Sequence, residues 1–231
     1  MSLEIGILWC GNFNRSGLVN KINIRPLRFA YRAPSLFLSR MRAAGNDIRF
    51  LYCDEDLRLA DLDGSARTLQ NEVDILYITT HGSFAPAGYE AFLDTQNWSP
   101  GVTGIGSSKL SVALFDTCEL IDGTQNWQTI WSSAKLGRNL RVLLGFDGLA
   151  AIDRGSAGRG AAFADNLVNG QTFADAWINA VRSTSSSQFS KAVAIGIGDT
   201  QADAKSVLTT STLNSPPGPR TGSQAFFEAK Y

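Results

Sequence analysis

His81 is the only histidine among 231 residues, so any chemistry here that needs an imidazole must use it. It follows an apolar run, residues 73–80, and Gly82 comes directly after it. A second apolar run, residues 110–115, ends in Asp116-Thr117-Cys118. A cysteine thiolate attacks carbonyl carbon well. A neighbouring imidazole can take the thiol proton and later return it to a leaving amine. The oxyanion formed on the way needs fixed donors, for which backbone N–H groups serve. A glycine after the histidine lets main chain approach a substrate without a Cβ in the way. The N–H groups of Gly82 and Cys118 are therefore the candidate oxyanion donors.

Each residue also has an ordinary structural use. A lone Cys118 reads as a small buried hydrophobe. A lone His81 reads as a side chain that satisfies a turn or a carbonyl. A strand-end Asp116 often caps a following helix. Their joint occurrence at the ends of two buried-type strands favours a His/Cys dyad. Other chemistries find less support. The cysteines Cys10, Cys53 and Cys118 lack metal-type spacing, and one histidine excludes a His-rich centre. Neither a metal nor a cofactor is expected. Asp54, Glu55, Asp56, Asp61 and Asp63 do not have the spacing of a calcium loop and read as a solvated acidic loop. The glycines at 104–106 and 155–160 lack both the Lys-Ser/Thr of a phosphate loop and a dinucleotide fingerprint. A serine hydrolase would need Gly-x-Ser-x-Gly and a late histidine, and neither is present. Trp98, Trp127 and Trp131 read either as a groove lining or as packing.

These residues need elements that carry them to one place. Strands are expected at 3–10, 48–52, 73–79, 110–115, 141–146 and 191–197. Helices are expected at 36–44, 127–136, 157–169 and 172–182, with Gly45 and Asn169-Gly170 as stops. A serine-rich linker, 183–190, precedes the last strand. Ser215-Pro216-Pro217-Gly218-Pro219 then breaks the chain before the aromatic pair Phe226-Phe227. Alternating strands and helices predict an α/β domain with a mainly parallel central sheet flanked by helices on both faces. In such sheets ligands bind beyond the carboxyl ends of the strands, where His81 and Cys118 stand. The two strands are consecutive and read as spatial neighbours.

At 44% hydrophobic, 231 residues suffice for one substantial core, so residues 1–231 are read as a single domain with an irregular tail at 212–231. The formal net charge is zero and the charged fraction 18%, which gives no footing for nucleic-acid binding. No apolar run reaches the ~18 residues of a membrane span. The N-terminus reads as a first strand and not as a signal peptide. An odd number of cysteines and no such signal fit a reduced, cytoplasmic setting.

The pattern of an apolar strand ending in His81-Gly82 and another ending in Asp116-Thr117-Cys118 resembles the caspase-like superfamily of cysteine peptidases. That group includes metacaspases, clostripains, gingipains, legumains and separases. The likeness runs from the first strand to Leu143-Leu144-Gly145-Phe146. More loosely, the whole chain looks like a microbial branch in which such a Gly-Phe strand end precedes helices and an Ala-Trp pair, here Ala176-Trp177. The resemblance implies a caspase-like fold with His81 as general base and acid and Cys118 as nucleophile. It also implies an oxyanion site at Gly82 and Cys118, and a peptide or protein as substrate. It assigns Asp116 to the pocket for the residue before the scissile bond, which predicts cleavage after arginine or lysine through charge-assisted hydrogen bonds. Asp147 and Asp153 are further candidate acids at the same sheet edge. The chain departs from the family in two ways. The Gln-Ala-Cys-Arg-Gly of caspases is absent, and Glu119-Leu120 stands where metacaspases carry Ser-Gly.

The same acyl-enzyme resolved by an amine would make the protein a transpeptidase or ligase. A non-catalytic caspase-like binding module is the reading from a different class, because a fold does not guarantee activity.

Overall fold

A computed structural model describes residues 2–11, 27–54, 69–85, 88–92, 97–98, 104–119, 121, 128, 131, 136–184 and 190–230. Ten strands fall within them. They are β1 (Glu4–Trp9), β2 (Asp47–Cys53), β3 (Ile75–Thr79), β4 (Gly82–Ala85), β5 (Gly88–Phe92), β6 (Asn97–Trp98), β7 (Val112–Asp116), β8 (Val142–Asp147), β9 (Lys191–Gly198) and β10 (Ala225–Lys230). The complete helices among these residues are α1 (Arg32–Ala43), α2 (Arg159–Val168), α3 (Phe173–Thr184) and α4 (Gln201–Thr210).

Seven strands form one sheet in the order β10-β9-β8-β7-β3-β1-β2. β2, β1, β3, β7 and β8 run parallel, whereas β9 and β10 are each antiparallel to the strand before them in the sheet. The α/β class and the mainly parallel sheet stand as the sequence predicts. β3 and β7, at the centre, bury all five of their residues, as a strand covered on both faces must. β2 lies at an edge and alternates exposed with half-buried residues.

The period-two alternation divides the core in two. Ile5, Ile7, Ile75, Tyr77, Leu114 and Phe146 face a cluster that takes in Phe37, Phe163, Trp177 and Leu208 from the four helices. Leu8, Leu76, Ile78, Ala113 and Phe115 face the other, with Ile105, Leu110, Trp131 and Leu140. The four complete helices therefore share one face. Trp131 packs on the second face; of the helix expected at 127–136 only Gln128, Trp131 and Leu136 are among the described residues. Trp131 is fully buried against Phe115, so it is core and not groove. Of the acidic loop only Asp54 is described, and its carboxylate accepts the Gly11 N–H at 2.7 Å.

Local chemistry sets the ends of the helices. Gly45 and Gly170, with φ of 86° and 85°, follow the last turns of α1 and α2 in the left-handed conformation that ends a helix. Thr172 and Thr200 accept the N–H of Asp175 and Asp203, and so cap α3 and α4. Gly160 sits in the first turn of α2, where a Cβ would fall on the Ala33 carbonyl of α1.

Three elements were not foreseen. The small sheet β4-β5-β6 begins directly after His81. α4 packs over β9. The chain end, expected to be irregular, forms the edge strand β10. The Asp199 carboxylate accepts the N–H groups of Thr221 and Gly222 and the Thr221 hydroxyl, which hold its pKa down at about 2 and pin the segment that leads into β10. No helix among the described residues is long and apolar enough to cross a membrane.

Gly160→Ala should push α2 away from α1. The expected cost is about 1–3 kcal/mol of overpacking strain, read as a lower denaturation midpoint at unchanged slope. A midpoint equal to wild type would contradict the close packing.

Candidate functional site

β3 and β7 are parallel neighbours, with Thr79 opposite Asp116. His81 and Cys118 are each two residues beyond that pair. The sheet thus delivers both to its carboxyl edge on adjacent strands. Both side chains are half-buried. Gly82 lies directly against the main chain of Cys118, and a Cβ at Gly82 would fall on the Cys118 carbonyl oxygen. Glycine is required there by space alone. The close approach also brings the two candidate oxyanion residues side by side.

The Cys118 sulfur is held by the segment after β8. The Ala150 N–H donates to Sγ at 3.3 Å, and Sγ lies 3.6 Å from the Ala150 carbonyl. The Glu119 N–H reaches back to the Gly148 carbonyl at 2.7 Å, and the Ala151 N–H donates to the Ser190 hydroxyl at 3.0 Å. Burial pushes the Cys118 thiol above the ordinary cysteine range. The Ala150 N–H opposes this, the negative charges of Glu119 and Asp116 add to it, and the Arg159 charge opposes it. The resting sulfur is accordingly a thiol, and it needs a base before it can attack.

Beneath the thiol lies a buried polar assembly. The Asp116 side chain is 1% exposed, as is that of Arg159. Arg159 Nη2 donates to Asp116 Oδ1 at 2.6 Å and to the Ala151 carbonyl at 2.9 Å. The Tyr77 hydroxyl donates to Asp116 Oδ2 at 3.0 Å. Burial pushes the Asp116 carboxyl upward, while the Arg159 charge and the Tyr77 and Arg159 hydrogen bonds pull it back. Burial and the Asp116 charge hold the Tyr77 phenol well above its usual range, so it remains a donor. The remaining guanidinium nitrogens, Nε and Nη1, have no hydrogen-bond partner among the described residues. The guanidinium carbon lies 4.7 Å from the Phe146 ring centroid and 5.8 Å from that of Trp177, where the ring faces offset the charge. Trp177 is itself fixed by its indole N–H on the Gly145 carbonyl at 2.9 Å. This contact joins the Gly-Phe strand end to the Ala-Trp pair.

This geometry bears on the role expected of Asp116. A carboxylate that is to hold a substrate arginine must be open to it, and both oxygens of Asp116 are already engaged from within the protein. Asp153 is exposed. Its carboxylate accepts the Ser156 N–H at 2.8 Å, and its own N–H donates to the Ser156 hydroxyl at 2.9 Å. It therefore shapes the turn leading into α2. Asp147 ends β8 at the same sheet edge, half-buried and opposite Lys191 of β9. Among the described residues no group of three His, Cys, Asp or Glu side chains is arranged to hold a metal ion.

Sequence reasoning missed Arg159, Tyr77 and the 148–151 segment. Two signals were present. An arginine in the first turn of a helix opposes the helix dipole, so it needs a reason to be there. A tyrosine inside a continuous apolar strand needs a partner for its hydroxyl.

Residues 18–223 match a family model described as a domain of unknown function, DUF6345. A comparison with curated proteins finds no match.

Asp116→Ala should destabilise the fold by about 3–5 kcal/mol in urea denaturation, because it leaves the Arg159 charge buried and unpaired. Replacing the pair together, as Asp116→Leu with Arg159→Met, should cost far less. Equal losses in the two variants would show that the ion pair is not the source. Iodoacetamide should alkylate Cys118 slowly at pH 7, with a rate that is still climbing above the ordinary cysteine range as the raised thiol ionises. A rate already at its plateau at pH 7 would contradict the burial effect.

Proposed function

The chain belongs to the DUF6345 family, and we propose that it is a cysteine hydrolase of the peptidase type, built on a caspase-like fold and working through a His81/Cys118 dyad. One observation carries this reading. Thr79 and Asp116 are in register on adjacent parallel strands, so His81 and Cys118 emerge together at the sheet edge where α/β proteins bind ligands. The close approach of Gly82 to Cys118 supports it, since two N–H groups on neighbouring strand ends can receive one oxyanion.

In the proposed reaction His81 takes the proton from the Cys118 thiol as sulfur attacks the substrate carbonyl carbon. The carbonyl π electrons move onto oxygen, which the N–H groups of Gly82 and Cys118 receive. Collapse of this intermediate breaks the C–N bond, and the imidazolium returns its proton to the departing amine. The thioester left on Cys118 is then attacked by water, from which His81 removes a proton. Sulfur leaves, regains the proton, and the acid product departs. No redox step or cofactor enters. The substrate is a peptide or protein amide, and the setting is reduced and cytoplasmic, in keeping with three cysteines that form no disulfide. An amine in place of water in the second half would give a transpeptidase or ligase.

A second reading, a non-catalytic caspase-like binding module, is favoured by one observation. Cys118 is buried enough to stay protonated, and its thiol is engaged by Ala150.

On a peptide library with cleavage read by mass spectrometry, Cys118→Ala and His81→Ala should each reduce turnover by about 10⁴-fold or more, and the double variant should lose no more than either single one. Circular dichroism should show all three folded. Wild-type turnover by Cys118→Ala would exclude the dyad. Absence of turnover in wild type on any peptide would support the binding module.

A further inference from the structure

Among the described residues Asp116 is the one fully buried carboxylate, and it stands two positions before Cys118. Its surroundings make a cradle of guanidinium shape. Oδ1 takes a guanidinium N–H, the Tyr77 hydroxyl fixes Oδ2, and the rings of Phe146 and Trp177 flank the cation. The chain fills that cradle with its own Arg159. A substrate arginine would have to expel Arg159 from its carboxylate. That would strand an uncompensated charge between two aromatic rings, with two of its nitrogens already lacking hydrogen-bond partners among the described residues.

What the protein offers beside the sulfur is different. The segment that holds Sγ carries Leu149, which is 55% exposed, then Ala150 in contact with the sulfur, then the half-buried Ala151 and Ile152. This is an apolar rim. A substrate carboxylate would meet the half-buried Glu119 and Asp147 at the same edge, charges of its own sign. We infer, on the cysteine-hydrolase reading above, that Arg159 is the specificity-determining residue. It acts as an internal guanidinium that closes the Asp116 cradle. The substrate class is then a peptide or amide whose residue before the scissile bond is uncharged and apolar and lies against Leu149.

The test uses the full chain and three peptidyl acyloxymethyl ketones, with leucine, arginine or aspartate before the reactive carbonyl. Labelling is timed by intact mass and located on Cys118 by peptide mapping. The leucine probe should label wild type at least about tenfold faster than either charged probe, the discrimination that one well-placed apolar contact affords. Faster labelling by the arginine probe overturns the inference and leaves the hydrolase reading intact. Failure of every probe to label Cys118 overturns the hydrolase reading, and the inference with it. A second arm uses Arg159→Ala, which empties the cradle beside Asp116. Ethylguanidinium should raise the melting temperature of this variant and leave that of wild type unmoved, with ethylurea as the uncharged control. The arginine probe should also gain on the leucine probe in this variant. A folded Arg159→Ala that ethylguanidinium does not stabilise overturns the cradle. If the variant does not fold, the wild-type probe ranking decides alone.

Discussion

A carboxylate and a guanidinium, both removed from water, tie the central sheet to the helix layer of this protein. Asp116 belongs to a central strand, Arg159 to the first turn of a helix 43 residues later. Two such charges are costly to bury unless each finds compensation, and here each does. The carboxylate has the guanidinium and a phenol, and the guanidinium has the carboxylate, a carbonyl and two ring faces. The arrangement forms a closed circuit. From Asp116 the chain runs two residues to Cys118, whose sulfur meets Ala150. The next residue, Ala151, accepts from Arg159, and Arg159 returns to Asp116. The position of the thiol, the path of the segment after β8 and the seating of α2 are thus fixed by the same few contacts.

The sheet was legible because its strands bury both faces. A five-residue apolar run such as that of β3 admits few other readings in a chain with alternating helical segments, and the polar residue at its end is visible against it. The placement of His81 beside Cys118 follows from that, since adjacent parallel strands in register carry their ends to the same edge. The elements that escaped notice are those with weak internal patterns. β10 has no alternation to announce it and is a strand because β9 offers an open edge and Asp199 anchors its approach. α4 carries mixed polar and apolar residues, and it lies where Gly196 and Gly198 let the helix backbone come close.

The cation that Asp116 holds was not legible in the sequence, for a physical reason. A sequence can show that a carboxylate stands two residues before a cysteine. It cannot show which cation the carboxylate meets, because the partner is distant in sequence and enters through packing. The partner here is one arginine, carried in by a helix whose first turn would not ordinarily favour it. Placement on the sheet is written locally, whereas the identity of the guanidinium that a carboxylate holds is not.

The closed circuit beneath Cys118 has a mechanical meaning. A ring of contacts joined by covalent chain on both sides has no slack end, so a displacement entering at any member is distributed to all the others. α2 through Arg159, and Ser190 through Ala151, are joined in this way to the segment that holds the sulfur. The thiol is in this sense a strain gauge for the helical layer. The fold cannot loosen there without altering how the sulfur is presented.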